Sequence, residues 1–245
     1  MINLSVVPSK SIVGMVMRLP LRLIPPSAVF YIMQGKLKGK KWIVGSSTHG
    51  CWLGIYECKK QILFSKMIKE GSILYDVGAN VGFYALLSSS LVGPKGKVFS
   101  FEPSPRNIGY LKQHLRLNAC DNVRIIEAAV TDKDGIAFFE ECIPSSLDHV
   151  SIKGNLKVKT LSLDSLFLKG KIPIPDCIKI DAEGSEFLIL AGAKNILTNY
   201  NPILFLSLHS PELHNECCKF LNSLNYDLQY LYENNIYELL AFKRK

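Results

Sequence analysis

Lys179, Asp181 and Glu183 stand at every second position of one short segment and are the side chains best placed to do chemistry. Apolar residues fill the positions between them, so a strand would turn all three charges to one side. Ligands bind at the carboxyl ends of the strands in an open α/β sheet. We therefore predict all three as catalytic, with Asp181 first and Glu183 second to accept or orient a hydroxyl proton. The alternative is an ion-pair cluster that caps the next helix.

His209 ends the following predicted strand and would lie beside that edge. Its ordinary pKa suits a general base at neutral pH, and the alternative is a structural, hydrogen-bonded histidine. Asp181, Glu183 and His209 together would also suit a divalent cation such as Mg²⁺, Mn²⁺ or Fe²⁺. No ligand spacing demands one, and we predict no metal site.

A glycine turn follows the predicted strand that contains Asp76. Gly78 permits a tight turn, and Gly82 lets the next helix, whose first N–H groups attract an anion, pack closely. Asn80 stands where the dinucleotide fingerprint has its middle glycine, so the turn suits a pyrophosphate poorly. It suits a ligand with one carboxylate and one cation, and S-adenosylmethionine combines these with a ribose.

The next strand ends in Phe101-Glu102-Pro103. The two oxygens of the Glu102 carboxylate can accept hydrogen bonds from both ribose hydroxyls. Pro103 keeps the strand from continuing. The alternative for Asp76 and Glu102 is that both only cap strand ends.

From residue 72 onward, strand patterns alternate with helix patterns, which predicts a parallel sheet with helices on both faces. A hairpin signal at the end adds an antiparallel strand. The predicted strands are 73–77, 98–101, 123–127, 135–141, 158–163, 178–181, 203–208, 226–232 and 236–242. The predicted helices are 81–92, 105–118, 185–197 and 211–224.

The composition is that of a folded protein, with 48% hydrophobic and 20% charged residues among 245. Seven cysteines without a Cys-x-x-Cys pair favour a reduced, cytoplasmic protein. No apolar stretch reaches the roughly 18–20 residues of a membrane span. The apolar residues 12–17 are followed by Arg18 and Arg22, the reverse of a signal peptide, and would form at most a short amphipathic helix.

The net charge of +8 is concentrated at the N-terminus. Residues 1–71 hold eleven Lys or Arg and two Glu, whereas residues 72–245 hold eighteen Lys or Arg and nineteen Asp or Glu. We predict a basic helical or irregular extension over residues 1–70 that packs on a catalytic domain at 71–245. Such an extension attracts an anionic partner or membrane surface, unless it is only a solvated face or an oligomer contact.

These motifs resemble the FkbM-type methyltransferases over roughly residues 50–245. The matching segments are Asp76–Tyr84, Phe101–Pro103, Asn118, Glu127–Val130, Thr160–Asp164, Ile178–Gly184 and Gly192–Ala193. The resemblance implies a Rossmann-like class I methyltransferase fold, with a doubly wound, mostly parallel seven-stranded sheet. It also implies S-adenosylmethionine as the cofactor and a hydroxyl group, of a sugar, glycan or polyketide-like acceptor, as the target.

Carried onto this chain, the resemblance assigns three parts of the cofactor to three groups of residues. Glu102 would hold the ribose, and Ala128 and Ala129 would face the adenine. The methionine end would be lined by Asp76, Gly78, Asn80 and Gly82, and the further expected contacts are Ala79, Phe83 and Pro103. One departure is Ser207, where family members often carry Glu two residues before a histidine, so any role of that Glu is in doubt here.

Three other functions stay open at this point. A nicotinamide-dependent oxidoreductase is disfavoured by the glycine spacing and by the lack of a Tyr-x-x-x-Lys set. A non-catalytic cofactor-binding adaptor is disfavoured by the intact glycines and strand-end acids. The basic segment motivates a nucleic-acid methyltransferase, but no Asn/Asp-Pro-Pro-Tyr-like base pocket is present, and we expect no nucleic-acid partner. Acceptor choice would depend on the N-terminus and residues 142–157; self-association stays open.

Overall fold

The computed structural model describes residues 21, 23–140, 149–150, 154, 156–233 and 235–244. Its strands are β1 (Val29–Tyr31), β2 (Lys41–Ile43), β3 (Ile73–Val77), β4 (Lys97–Phe101), β5 (Val123–Ile126), β6 (Ala129–Val130), β7 (Gly135–Glu140), β8 (His149–Val150), β9 (Leu156–Leu161), β10 (Cys177–Ile180), β11 (Ile203–Ser207), β12 (Asp227–Tyr232) and β13 (Asn235–Phe242). Its α-helices are α1 (His49–Leu53), α2 (Cys58–Met67), α3 (Phe83–Val92), α4 (Pro105–Leu117), α5 (Leu163–Leu168), α6 (Glu186–Ala191), α7 (Lys194–Tyr200) and α8 (Pro211–Ser223).

A seven-stranded sheet in the order β12-β13-β11-β10-β3-β4-β5 forms the centre of the molecule. The five strands from β11 to β5 run parallel, and β13 pairs antiparallel with both β11 and β12. This confirms the predicted doubly wound sheet and its C-terminal hairpin. The two faces are buried in separate apolar cores, and neighbouring residues such as Leu74 and Tyr75 enter opposite cores.

The helix that follows β4 shows how the sequence sets an element boundary. The Ser104 hydroxyl accepts a hydrogen bond from the Asn107 N–H, and Pro105 occupies the first turn. A side-chain cap followed by proline is a strong start signal. The helix therefore begins where it was predicted, and residues 102–104 form the connection between β4 and this helix.

Two predicted elements differ from the structure. The single helix predicted over 185–197 is two helices, α6 and α7. At the break the Gly192 carbonyl accepts a hydrogen bond from the Asp164 N–H, and the Asp164 carboxylate accepts from the Asn195 and Ile196 N–H groups at the start of α7. The region up to residue 35, predicted to be helical or irregular, contains β1, which pairs antiparallel with β2. Both strands are short, and neither shows the clear alternation of polar and apolar residues that would predict a strand.

A smaller four-stranded sheet, in the order β6-β9-β7-β8, lies beyond the end of β5. Two of its strands correspond to those predicted around a variable loop at 142–157. Most of that loop, together with the apolar residues 12–17, lies outside the described residues. Within the described part of the chain, no helix is long and apolar enough to cross a membrane.

Candidate active site

A cleft of about 470 Å³ opens at the carboxyl ends of β3, β4 and β10. Most of the residues predicted as cofactor contacts line it: Gly78, Ala79, Asn80, Phe83, Glu102, Pro103, Ala128 and Ala129. Lys179, Asp181 and Glu183 line it as well. The sheet topology thus brings both predicted clusters to one cavity, although about a hundred residues separate them in sequence.

The turn after β3 is bent by residues in the left-handed region. Gly78 has φ of +74°, and a Cβ there would lie 1.8 Å from the Asp181 carbonyl oxygen. Asn80 adopts φ of +49° although it is not glycine. Gly82, with φ of +97°, lies behind the turn against Leu111 and is not among the described residues that line the cleft. The turn is therefore locked directly onto the end of β10.

Glu102 braces this turn from the neighbouring strand. Its Oε2 accepts a hydrogen bond of 2.7 Å from the Asn80 N–H. Its Oε1 accepts from the Ser104 N–H at 3.0 Å and from the Asn107 side-chain amide at 3.2 Å. Glu102 is buried and lines the cleft, so its carboxylate ties the turn to the start of α4 at the edge of the cavity.

Asp76 lies deeper than the sequence predicts. Its carboxylate is fully buried, and Oδ1 lies 3.2 Å from the Lys179 Nζ. Asp76 is not one of the described residues that line the cleft, so it contacts the turn through Lys179. The same Nζ donates to the Gly78 carbonyl oxygen at 3.0 Å and lies 3.7 Å from Asp181 Oδ2. Lys179 is therefore a buried cation that ties the end of β3 and the turn after it to the end of β10.

The charges of Asp76 and Asp181 raise the pKa of Lys179 against the opposing effect of burial. For Asp181, burial would raise the pKa, but the positive charges of Lys179, Lys60 and His209 lower it below its usual value. Asp181 is therefore a carboxylate at neutral pH, and one that faces the cleft.

His209 follows β11 and does not line the cleft within the described structure, but it contacts the carboxylates that do. Its Nε2 lies 3.3 Å from Glu183 Oε2 and 3.6 Å from Asp181 Oδ1. Its Nδ1 lies 2.7 Å from Oε1 of Glu186, a fully buried residue at the start of α6. The imidazole therefore sits among three carboxylates.

Burial alone would lower the pKa of His209, but the hydrogen bond to Glu186 and the charges of Glu186, Glu183 and Asp181 raise it to about 9. This differs from the neutral-pH base expected from the sequence, because the ring is an imidazolium at pH 7. The ligand atoms of Asp181, Glu183 and His209 lie within 4.8 Å of one another, a spacing that would admit a metal ion. With His209 protonated, the same three side chains form an ion-pair network.

Glu186 is a site residue that the sequence analysis missed. Its carboxylate accepts hydrogen bonds from the Ala182 and Gly184 N–H groups at 3.1 to 3.3 Å. It thereby holds the loop that carries Glu183, whose φ of +45° is costly for a residue with a Cβ. An acid in the first helical turn was the available signal. Nothing local showed that it would reach back to the loop.

The N-terminal segment supplies a second part of the site that the sequence did not reveal. Residues 45–48, Cys51 and Tyr56 form one wall of the cleft. Beside them, Lys60 is buried with its Nζ 2.6 Å from Ser207 Oγ and 2.8 Å from Glu238 Oε2. Glu238 pairs with Ser207 across β13 and β11, so a carboxylate lies next to the serine that departs from the family pattern.

Comparison with known proteins gives a match between residues 76–228 and the methyltransferase FkbM domain. The chain is 33% identical over 138 residues to the hexuronic acid methyltransferase AglP of Haloferax volcanii, covering 56% of each protein. It is 26% identical over 156 residues to the 2-O-methyltransferase NoeI of Sinorhizobium fredii, covering 56% of this chain and 63% of NoeI. The chain thus spans little more than half the length of the curated relatives it matches.

A solved structure titled methyltransferase FkbM, from Methylobacillus flagellatus KT, shares the fold with a TM-score of 0.53 at 17% identity. The likeness covers 74% of this chain and 50% of that one. These comparisons favour the predicted methyltransferase fold over that of a nicotinamide-dependent oxidoreductase. With the domain match extending over more than half of its residues, the chain belongs to the FkbM methyltransferase family.

Proposed function

We propose that this protein is an S-adenosylmethionine-dependent O-methyltransferase acting on a sugar hydroxyl. The observation that carries the proposal is the meeting, in one cleft, of the turn at Gly78 and Glu102 with the carboxylates of Asp181 and Glu183. Membership of the FkbM family supports the reaction type. The names of the two relatives, a hexuronic acid methyltransferase and a 2-O-methyltransferase, support a sugar acceptor.

The cleft fits the proposed cofactor in size and in chemistry. Its volume of about 470 Å³ lies within the usual range for small-molecule sites. Glu102 would accept from the ribose hydroxyls, while Gly78 and Asn80 would let the amino acid end approach the backbone. The buried Ala128 and Ala129 would face the adenine. The carboxylates of Asp181 and Glu183, which also line the cleft, would favour the positive charge of the sulfonium.

When bound, the cofactor would supply an electrophilic methyl group and leave as the neutral thioether that keeps the electrons of the broken carbon–sulfur bond, so the protein must align an acceptor oxygen with the methyl group and take up a proton. Asp181 would accept the hydrogen bond of the acceptor hydroxyl and take its proton as the new carbon–oxygen bond forms. A carboxylate of low pKa suffices for this because the oxygen becomes strongly acidic as it is alkylated. Lys179 would keep Asp181 ionised and aimed into the cleft.

His209 has a positioning role in this proposal. Its imidazolium would hold Glu183 and Asp181 at one end of the cleft, and Glu186 would fix the orientation of the ring. Glu183 would then bind a second hydroxyl of the acceptor. Sugars offer neighbouring hydroxyls, and two adjacent carboxylates can accept from both at once.

Two measurements test the proposal. In calorimetric titrations we expect the protein to bind S-adenosylmethionine but not NAD. In reactions with methyl-deuterated cofactor, we expect mass spectrometry to find a labelled methyl group on hexuronic-acid-containing oligosaccharides. Binding of NAD alone would refute the methyltransferase assignment. Cofactor binding without labelling of any sugar would leave the cofactor assignment standing and refute the acceptor class.

A further inference from the structure

We infer that the N-terminal hairpin formed by β1, β2 and residues 32–40 between them docks on an anionic membrane surface. Its outer face combines exposed apolar side chains with lysines. All three residues of β1 are exposed, including Tyr31 at 63%, and Met33 just after it is exposed at 58%. An exposed Tyr beside aliphatic side chains matches the interfacial zone of a bilayer, where one part of the side chain is apolar and another is wet.

The lysines follow directly in the same hairpin. Lys36 and Lys38 are exposed on the connection, and Lys41 pairs with Tyr31 across the two strands, which places both side chains on one face. Ile32 and Leu37 are buried beneath, so the connection is anchored to the core and presents its polar side outward. Apolar and cationic side chains are therefore displayed together on a fixed support.

Charge favours a membrane over the other partners that could cover this face. The described residues 23–56 contain four lysines and no Asp or Glu, so this stretch attracts negatively charged lipid and has no acidic side chain of its own to repel it. A second copy of the chain would bring two positive faces together. Nucleic acid would match the lysines but would leave Val29, Tyr31 and Met33 against a charged backbone. Anionic phospholipid can bind the lysines through its headgroups and the apolar side chains through its acyl chains.

The position of the hairpin links this surface to the cleft. The chain continues from β2 directly into residues 45–48, which form part of the cleft wall. One consequence rests on the proposed function: a docked enzyme would hold its cleft near the bilayer, where a glycan carried on a membrane lipid presents its sugar. The membrane contact itself does not depend on methyl transfer.

Vesicle co-sedimentation of the full chain tests the inference without cofactor or acceptor. We expect the protein to sediment with vesicles of one part phosphatidylglycerol to three parts phosphatidylcholine, and not with pure phosphatidylcholine. Lys36→Glu/Lys38→Glu should weaken binding about tenfold or more, and so should Tyr31→Ser/Met33→Ser. Circular dichroism establishes that each variant is folded.

Matched controls make the same chemical changes elsewhere on the surface. Lys194→Glu/Lys219→Glu alters exposed lysines of α7 and α8, and Ile136→Ser/Leu168→Ser removes side chains exposed at 76% and 73%. Both controls should retain binding within twofold. Absence of sedimentation with anionic vesicles overturns the inference. Equal losses in the hairpin and control variants would also overturn it, because the attraction would then follow total charge and not this face.

Discussion

We expect that adding a single methyl group at Gly78 disrupts the cleft. An added Cβ would meet the Asp181 carbonyl oxygen at 1.8 Å, and the φ of +74° is strained for any other residue. We predict that Gly78→Ala costs at least about 3 kcal/mol of folding stability, because backbone must move in addition to the left-handed penalty. Calorimetry should show loss of S-adenosylmethionine binding, and urea unfolding gives the stability.

Gly170 is the matched control for this substitution. It has a similar φ of +63°, but a Cβ there meets no atom within 4 Å. Gly170→Ala should therefore cost only the conformational penalty, about 1–2 kcal/mol. If both variants lose equal stability and both still bind cofactor, the contact between the turn and β10 does not shape the site.

Asp181→Asn separates methyl transfer from cofactor binding. The amide keeps the shape of the side chain but cannot take the acceptor's proton, so we expect kcat to fall about 10²–10⁴-fold. Affinity for S-adenosylmethionine should change only a few-fold, because Glu102 and the glycine turn would carry that binding. The exposed Asp121→Asn is the control. Full activity of Asp181→Asn in a mass-spectrometric assay would remove Asp181 from the mechanism.

At the scale of residues, the sequence predicted the site well where charged side chains repeat at a regular spacing along one strand. The alternation at Lys179, Asp181 and Glu183 predicted their common side, and all three line the cleft. It could not show that Asp76 would be fully buried under Lys179, since that contact joins positions about a hundred residues apart. Nor could it show the crowding of carboxylates that raises the pKa of His209.

At the scale of elements, Lys60 joins helix α2 to the last strands of the sheet. The side chain is 1% exposed, and Nζ bonds to Ser207 and to Glu238. We predict that Lys60→Met destabilises the protein by about 3 kcal/mol, because it leaves two mostly buried carboxylates, Glu57 and Glu238, without their cation. Urea unfolding at pH 7 measures this.

The double variant Lys60→Met/Glu238→Gln tests the cause of that loss. Removing the nearer of the two stranded charges should recover part of the stability, because a pair replaced together costs less than a pair broken singly. A double variant as unstable as the sum of the two single variants would mean that Lys60 acts by packing and not by charge.

His209 links β11 to α6 and makes the stability of the folded protein depend on pH. Its pKa is about 9 in the folded protein against 6.5 for the free side chain, so folding favours the protonated ring. The stabilisation is fully present below pH 6.5 and is lost as the pH rises through 9. Because the ring is partly exposed and screened by solvent, we expect its protonation to stabilise the folded protein by about 1–2 kcal/mol.

Urea unfolding at pH 6 and pH 9.5 measures this difference. His209→Gln should flatten the dependence, whereas His214→Gln, a histidine stacked on Tyr230, should preserve it. An unchanged slope in His209→Gln would show that the three carboxylates do not hold the imidazole as an ion pair.

Helices and strands were predictable from the sequence where burial imposes a regular pattern of apolar residues. They were less predictable where contacts with distant parts of the chain determine the boundary of an element. The parallel strands read as short apolar runs and were found close to their expected bounds. The break at Gly192 involves hydrogen bonds with Asp164, which lies on a different helix, α5. Strand β1 has three residues, all exposed, and pairs with β2 across a nine-residue connection, so no hydrophobic pattern marked it.

At the scale of the whole molecule, the N-terminal segment and the sheet share one core. Trp42, Trp52 and Phe64 pack in the same buried cluster as Leu74 and Phe205 of the central sheet. Residues before 70 also form part of the cleft wall. We therefore expect the described segment from residue 28 onward to unfold together with the sheet in a single transition.

Cofactor binding should shift that single transition as a unit. At a concentration of 100 times Kd, S-adenosylmethionine should add about 2.7 kcal/mol, which for a chain of this size raises Tm by about 5–11 °C. NAD at the same concentration should leave Tm unchanged, and differential scanning calorimetry measures both. A second transition that does not respond to the cofactor would show that the N-terminal segment folds independently. In that case the wall at Tyr56 would play no part in cofactor binding.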